Sequence, residues 1–307
     1  MEGTMTNIKR TTHTMAALAC LVLFIGLSPV GYLFGHDGYE EPFSKTVSVS
    51  SGAVKLVLRN VSGDIDVKTW NRSEIKIEAT KRSSASAQSE AKENAALVKI
   101  EVTQEDHTVR IETKYPESSH SWFSKSKSID VSVDYTLTIP DSASTDIHSV
   151  SGNIDISNCE GESWLETVSG DVKATAVGGH IRAKSISGLV DVSDARQGAD
   201  CESISGNVTV RQVGGDTRAK AISGDVTVEH SKGSVTAESL SGNVVVYERP
   251  DAGFDFEAST FSGDINTEFE LRVLGHQEHH ELRGSINGGG KSINVKCFSG
   301  NVDLKKK

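Results

Sequence analysis

The stretch that decides the fold is residues 151–243, which repeats itself every 18 positions. Written one unit at a time it is SGNIDISNCEGESWLETV, SGDVKATAVGGHIRAKSI, SGLVDVSDARQGADCESI, SGNVTVRQVGGDTRAKAI, SGDVTVEHSKGSVTAESL and a final SGN. Each unit opens with Ser-Gly and then Asp or Asn, except where Leu189 takes the third place. Further copies begin at Ser62, Ser262 and Ser299, outside this phase. Five equal intervals indicate a repeat architecture, in which units bury their apolar faces by stacking.

Within each unit, apolar residues occupy every second position, as in 169–174 and 179–184. This period is that of a half-buried strand. Each unit is therefore predicted to form a coil of two short strands joined by glycine turns. Stacked coils would place equivalent strands about 4.8 Å apart in parallel sheets.

Three positions, counted from the opening Ser of each unit, show what the stacked columns contain. Position 17 is a continuous aliphatic column: Val168, Ile186, Ile204, Ile222 and Leu240. Position 14 holds mostly small side chains, which thin one side of the core: Leu165, Ala183, Cys201, Ala219 and Ala237. Position 15 faces outward and alternates in sign: Glu166, Lys184, Glu202, Lys220 and Glu238. Opposite charges on neighbouring strands contribute about 0.2–1 kcal/mol each, so the alternation predicts that residue n lies beside residue n+18.

Two other coiled folds fit this pattern less well. The left-handed hexapeptide helix needs an aliphatic residue at every sixth position, but counting from Val172 reaches Gly178 and Lys184. Pectate-lyase-type β-helices carry long loops that build an active cleft, and these short coils lack them. The predicted fold class is all-β, a β-solenoid of stacked two-strand coils with parallel sheets.

A smaller β-rich region with one helix is expected before the solenoid. We predict this region at 44–148 with the helix at about 84–97, followed by the solenoid at 149–304. Strands at 98–102 and 109–113 are expected to form a hairpin. After the regular units, an irregular aromatic coil containing Phe254, Phe256 and Phe261 is expected to thicken and cap the core.

The first residues indicate export. Lys9 and Arg10 precede an apolar segment, so we predict a cytoplasmic region at 1–14 and a signal peptide or membrane anchor at 15–35. Cleavage and retention of this segment both remain open, and a lipoprotein signal at Cys20 fits poorly because the apolar run continues past it. By the positive-inside rule the remaining chain is expected to lie in the periplasm or at the cell surface, and to be membrane-anchored if the segment is retained.

Composition limits the classes of partner. The chain of 307 residues has 32 Lys and Arg against 42 Asp and Glu, a net charge of -10. A nucleic-acid-binding protein would show a basic face, so no nucleic-acid partner is expected. The expected partners are the membrane, through the first segment, and an envelope protein or a glycan.

No catalytic, cofactor-binding or metal-binding residue is predicted. His276, His279 and His280 could together hold zinc or copper, but their spacing matches no fixed motif and a solvated loop is commoner. Cys201 is expected to be a buried small residue too far from Cys159 for a disulfide. Three aromatic residues could bind a sugar or a partner, although packing against the N-terminal region at the domain junction is the favoured interpretation of the first: Trp164, Trp122 and Phe123.

The motifs resemble a known family. The string NVSGDIDV at 60–67, Trp70 shortly after it, the run LTIP at 137–140 and the serial Ser-Gly-Asp/Asn units resemble the bacterial putative-adhesin domain of unknown function. That family is also described by its toast-rack stacking of β-strands. The resemblance covers about residues 44–304. It implies an exported β-repeat protein, a role in adhesion or envelope stress, and no established catalytic residues.

The function predicted from these observations is that of a non-enzymatic, adhesin-like binding or structural module of the bacterial cell envelope. One alternative is an envelope-stress sensor or regulator that acts through a protein partner. A second is a carbohydrate-active β-helix enzyme, which a pocket rimmed by two or more acidic residues would favour.

Overall fold

The computed structural model describes residues 38–49, 54–85, 87–116, 129–273 and 280–307. All of them belong to one compact unit, Asp37–Lys307. The predicted signal or anchor segment at 15–35 lies outside the described residues. Within the described ranges, no helix has the length and hydropathy that crossing a bilayer requires.

The strands and the helix of the described residues follow in chain order. The first part contains β1 Tyr39–Ser48, β2 Lys55–Arg59, β3 Ile65–Trp70, β4 Glu74–Ser83, α1 Gln88–Leu97, β5 Lys99–Glu105, β6 Thr108–Lys114 and β7 Val131–Pro140. The regular part contains β8 Ser144–Ser151, β9 Ile154–Ser157, β10 Ser163–Ser169, β11 Val172–Thr175, β12 His180–Ser187, β13 Val190–Ser193, β14 Gly198–Ser205, β15 Val208–Arg211, β16 Asp216–Ser223, β17 Val226–Glu229, β18 Val235–Ser241 and β19 Val244–Glu248. The last part contains β20 Phe254–Ser262, β21 Ile265–Thr267, β22 Arg272–Val273, β23 Glu281–Ile286, β24 Lys291–Ser299 and β25 Val302–Lys306.

These strands form two sheets, as expected for a coil with two strands. In sheet A the neighbours follow the order β1-β4-β7-β3-β9-β11-β13-β15-β17-β19-β25-β21. In sheet B they follow the order β22-β23-β20-β24-β18-β16-β14-β12-β10-β8-β2-β6-β5. The hairpin of β5 and β6 is present, and α1 begins at Gln88, four residues after the predicted start. Strands from before residue 148 pair within both sheets.

The 18-residue register is confirmed along the regular part. Lys184 pairs with Glu166 on one side and with Glu202 on the other. Inward-facing aliphatic residues of sheet A form a buried column: Ile154, Val172, Val190, Val208, Val226 and Val244. Opposite them lies the predicted column of mostly small residues, also buried, in which Cys201 sits between Ala183 and Ala219.

The stacking order departs from the chain order at both ends of the solenoid, which corrects the expectation of strictly sequential coils. Strand β18 pairs with β24, where Ser241 meets Ser299, and β24 in turn pairs with β20, where Ser299 meets Ser262. The coil of β24 and β25 is thus inserted before the coil of β20 and β21. At the other end, the coil of β2 and β3 lies between those of β6–β7 and β8–β9.

In one buried column of sheet B the side chains grow in size toward the end coil: Ile293 of β24 lies between Val235 of β18 and Phe256 of β20. Val295 continues the thin column beside Ala237, and Lys296 continues the alternation beside Glu238. Phe254 and Phe256 are buried in the coil beyond, where the core is wider, as predicted. The expectation for Phe261 was wrong. This side chain is 70% exposed, because it occupies one of the positions of β20 that face outward.

The Ser-Gly-Asp/Asn residues form the corners that connect each strand of sheet B to the next strand of sheet A. Their side chains make hydrogen bonds to the neighbouring coil rather than within their own coil. The side-chain oxygen of Asn153 accepts the backbone N–H of Asp171 at 2.8 Å, and the Asp171 carboxylate accepts that of Leu189 at 2.7 Å. The same bond recurs from Asp225 to Asn207 and from Asn243 to Asp225, at 2.9 and 2.8 Å. The signature therefore forms a ladder that ties each coil to the previous one.

A second ladder explains the buried hydroxyls of sheet B. The hydroxyls of Ser185, Ser203 and Ser239 each donate to the carbonyl of the corner glycine 15 residues earlier, at 2.8–3.0 Å. A buried hydroxyl without a partner would be destabilising, so these bonds account for a polar column inside an apolar core.

A glycine lies in the second corner of all but one of these coils, as expected from the sequence: Gly161, Gly179, Gly215 and Gly233. In every coil, however, the first residue of this corner is not glycine. These first residues have left-handed backbone conformations with φ of 53–58°: Asn158, Ala176, Asp194, Gln212 and His230. Asn and Asp tolerate this conformation best, because their short polar side chains can bond locally.

Leu189 interrupts the first ladder, so replacing it by asparagine is expected to stabilise the protein by about 1 kcal/mol. The new amide oxygen would accept the backbone N–H of Asn207, and little apolar burial is lost because Leu189 is exposed. Urea unfolding measures the change. Leu189→Ala is the control that removes the same side chain without supplying an acceptor. Equal stability of the two variants would contradict the ladder.

Candidate functional site

The outer face of sheet B carries a continuous row of apolar side chains, six of them exposed and two half-buried. We call it the apolar stripe, and it crosses eight neighbouring strands from β8 to β20: Val150, Val168, Ile186, Ile204, Ile222, Leu240, Phe298 and Phe261. Its middle is the aliphatic column at position 17. The stripe lies two residues along each strand from the charged column, so both have the same outward parity.

Exposure of the stripe is greatest at its two ends. Val150 is 50% exposed, Leu240 52% and Phe298 52%, whereas Ile186 and Ile204 are half-buried between their neighbours. At spacings of about 4.8 Å, eight strands make the stripe roughly 34 Å long. Scattered exposed apolar residues need no explanation, but a contiguous row of this length makes the face a candidate interaction surface.

The aromatic end of the stripe borders a shallow hollow. The rings of Phe261 and Phe298 stack with centroids 4.8 Å apart and an angle of 3° between their planes. The hollow has a volume of 570 Å³ and is lined by these rings together with Ile222 and Leu240. Polar neighbours in the same lining are Lys220, Glu238 and Lys296.

Alternating charges accompany the stripe. The row, which we call the charge row, continues the predicted column in both directions: His148, Glu166, Lys184, Glu202, Lys220, Glu238 and Lys296. Its Lys–Glu pairs within the chain are long, 3.7 Å from Lys184 to Glu202 and 3.9 Å from Lys220 to Glu238, and His148 lies 3.4 Å from Glu166. These side chains are partly solvated, so each pair contributes little to stability.

Trp164 lies in a third row, on the far side of the charge row. Its ring is 5.3 Å from that of His148 and 5.5 Å from the guanidinium of Arg182, and it remains 42% exposed. Trp164 therefore sits on the open face of the sheet, beside the first coils, rather than inside a junction.

Asp146 lies on β8, at one end of this face, and forms ion pairs there. Its carboxylate contacts Arg59 at 2.8 Å and Lys55 at 3.1 Å. Burial opposes ionisation, but the hydrogen bonds from Arg59 and Lys55 outweigh it and hold the pKa of Asp146 below its ordinary value. Burial, reinforced by Arg59, lowers the pKa of the neighbouring His148.

Because of Asp146, the free energy of unfolding should decrease at acidic pH. Because its folded pKa is depressed, its contribution is present above the ordinary Asp pKa of about 3.9 and is lost as the pH falls through the folded value. Asp146→Asn is expected to lose about 2 kcal/mol at pH 7 and to unfold with a weaker pH dependence below pH 4. Denaturant unfolding from pH 7 to pH 2 measures both effects. A parallel shift of the two curves would contradict the assignment. Asp200→Asn is the control, because the Asp200 side chain is 37% exposed against 11% for Asp146.

A second hollow, of 380 Å³, lies on sheet A and is rimmed by acidic residues, the feature named above as favouring an enzyme. Three of its four carboxylates, all but that of Asp155, have hydrogen-bond or ion-pair partners within the described part of the chain. Asp64 and Asp134 accept backbone N–H groups at the coil corners, and Asp66 contacts Lys68 at 2.8 Å. The hollow thus coincides with the first rungs of the corner ladder.

The other sequence-derived candidates fall partly outside the described residues. His276 and His279 lie there, as do Trp122 and Phe123, and His280 is described at an exposed turn. Across the described residues, no group of three or more His, Cys, Asp or Glu side chains could hold a metal ion. Cys159, Cys201 and Cys297 are buried free thiols.

Sequence reasoning missed the main feature of the site. It identified the aliphatic column without assigning it to a face, and it did not include Phe298. The parity of the strand was the available signal, since residues two apart on a strand share a face. The insertion of β24, which brings Phe298 beside Phe261, carried no such signal.

Solved structures with low sequence identity resemble this chain. A "putative adhesin" from Bacteroides fragilis is 13% identical, with a TM-score of 0.47, over 87% of this chain and 97% of its own. A "putative adhesin" from Parabacteroides distasonis is 14% identical, with a TM-score of 0.44, over 86% and 97%. A "putative lipid binding protein" from the same species is 10% identical, with a TM-score of 0.43, over 86% and 96%.

Family membership follows from the sequence match. No curated protein is significantly similar to the chain. The Toastrack DUF4097 family model, however, matches residues 48–305, which include both sheets almost completely. The chain therefore belongs to the Toastrack DUF4097 family.

Proposed function

We propose that this protein is a non-enzymatic, exported module of the bacterial cell envelope that binds another macromolecule through the outer face of sheet B. The observation that carries the proposal is the apolar stripe with its flanking charges. A stripe about 34 Å long suits an extended partner surface better than a small molecule, which is normally held in a concave pocket.

Export is supported by the sequence of the first segment rather than by the fold. Lys9 and Arg10 before the apolar residues 15–35 give the orientation of an exported chain. Retention of that segment would tether the module to the membrane and restrict its partners to molecules of the envelope.

Capture of envelope components by the full-length chain tests the proposal. Wild-type protein should retain a specific partner, and Ile222→Asp, in the middle of the stripe, should reduce retention at least tenfold. Thr227→Asp, on the outer face of sheet A, is the matched control and should bind normally. Equal binding by all three proteins would refute the assignment of the surface, and hydrolysis of a polysaccharide by pure protein would refute the non-enzymatic proposal.

A further inference from the structure

We propose that the partner of the sheet B face is a second copy of the same chain, docked face to face with its coils in reversed order. The inference rests on the proposed function, because it names the occupant of the same surface. The evidence is the charge row. When the row of one copy faces the same row of another copy in reversed order, each Glu lies opposite a Lys.

The arrangement has a twofold axis parallel to the strands, between β14 and β16. With such an axis, facing residues of the two copies lie at the same position along their strands, and the coils of one copy run in the reverse order of those of the other. The apolar stripe of one copy then covers the stripe of the other, and the charge row covers the charge row. Isologous contacts of this kind are the commonest in soluble oligomers, and packed sheets keep their strand directions within about 30°.

Along the charge row, every facing pair from β10 to β24 joins opposite charges. Glu202 of one copy faces Lys220 of the other, and the remaining pairs are Lys184 with Glu238 and Glu166 with Lys296. A shift by one coil would instead make all the facing pairs alike in charge. Complementary charges fix register, and like charges brought together are strongly unfavourable. The alternation thus selects the reversed order and excludes a shift by an odd number of coils. A shift by two coils restores opposite charges but leaves two fewer strands facing one another.

The third row is compatible with the same register. Asp200 of one copy faces Arg218 of the other, and Trp164 and Arg182 face uncharged residues on β24 and β18. At the outermost coils two acidic residues face one another, Asp146 and Glu257. Both are already neutralised within their own chain, Asp146 as described above and Glu257 by Arg283 at 2.8 Å.

The stripe supplies an apolar centre for this contact. Ile204 faces Ile222 at the axis, Ile186 faces Leu240, and the aromatic end covers the valine end. Eight strands about 4.8 Å apart and three outward positions about 6.6 Å apart give a patch on the order of 700 Å² per copy. Stable interfaces bury about 800 Å² per partner, so the patch is close to what a dimer needs.

The charges are available for this use. The two intrachain Lys–Glu pairs of the charge row, at 3.7 and 3.9 Å, exceed hydrogen-bond distance and leave their side chains 35–48% exposed. If the alternating charges served only to pair neighbouring strands of one sheet, no apolar row would be needed beside them. The two features together describe a charged border along an apolar contact.

Cross-linking between full-length chains tests the register. Two differently tagged chains are co-expressed, one with Lys184→Cys and the other with Glu238→Cys, and are treated with a short bismaleimide. We expect this mixed pair to cross-link at least tenfold more than the Lys184→Cys pair, whose members lie three coils apart. The chain without added cysteine is the control for its native thiols, of which Cys159, Cys201 and Cys297 are buried.

Sedimentation of the full-length protein in mild detergent tests the interface independently. Wild-type protein should be dimeric at micromolar concentration, and Ile222→Asp should weaken dimerisation at least about 100-fold, because its carboxylate would lose water at an apolar centre. Thr227→Asp should dimerise normally, and unchanged thermal unfolding of both variants would exclude misfolding.

The outcomes separate this inference from the proposed function. A monomeric wild type that still captures an envelope component through the stripe would overturn the inference and leave the proposed function standing. A dimer in which the Lys184→Cys pair cross-links as well as the mixed pair would overturn the register. A monomer whose capture is unaffected by Ile222→Asp would overturn both.

Discussion

Replacing Gly224 by alanine is expected to lower the free energy of unfolding by about 4 kcal/mol, through backbone strain and overpacking together. The φ of Gly224 is +155°, which L side chains rarely adopt. An added Cβ would also lie 2.2 Å from the carbonyl oxygen of Gly206 and 2.6 Å from its carbon. Both atoms are backbone, so no rotamer change relieves the contact.

The strain at Gly224 would pass to the adjoining coils. Its N–H donates to the carbonyl of Ser241 at 2.9 Å, and its own carbonyl accepts the hydroxyl of Ser239 at 3.0 Å. Separating Gly224 from Gly206 therefore disturbs the contacts of β16 with its neighbours. Denaturant unfolding measures the loss, and the melting temperature should fall on the order of 10 °C.

Gly288→Ala is the matched control for Gly224→Ala. Gly288 also has a positive φ, +90°, but nothing lies within 4 Å of the position its Cβ would take. It retains the conformational penalty alone, about 1–2 kcal/mol. Equal losses in the two variants would show that close stacking of the corner glycines is not what excludes larger residues.

Replacing Val302 by aspartate is expected to cost about 4 kcal/mol, because a carboxylate would be buried without a partner. Val302 is fully buried on β25, between Val244 of β19 and Ile265 of β21. The loss should spread beyond its own strand. Since β25 joins β21 to the rest of sheet A, opening β25 also releases the coil of β20 and β21.

Hydrogen exchange reports this spread. Amides at 254–267 should exchange faster in Val302→Asp, while those at 151–211 should keep their protection. The control is Val245→Asp, the same replacement at an outward position of β19, expected to cost less than about 1 kcal/mol. Continued protection at 254–267 would contradict the inserted position of β25 and favour sequential stacking.

Much of the fold was predictable, because its information repeats locally. The 18-residue spacing and the sign changes along Glu166, Lys184 and Glu202 gave the register of neighbouring coils, and the alternation of apolar residues gave the two strands of each coil. The helix α1 and the β5–β6 hairpin followed from composition and turn residues. These signals are local and do not depend on which strand from a distant part of the chain pairs with a given strand.

The surface site was predictable only in part. The aliphatic column was visible in the sequence, and the rule of strand parity places it outside. Phe261 was expected in the core with Phe254 and Phe256, because aromatic residues are usually buried. Its strand instead directs Phe261 outward, where it stacks on Phe298, a partner 37 residues away along the chain.

The sequence by itself determined the repeat length, the strand alternation and the residues that form each column, since these depend on spacing within a few tens of residues. Only the tertiary structure decided that β24 enters between β18 and β20, and that the corner amides bond to the preceding coil. Several strands carry the same Ser-Gly signature, so local pattern cannot choose among them. The choice depends on the packing of the terminal coils, where Ile293 of β24 lies between Val235 and the larger Phe256 of the end coil.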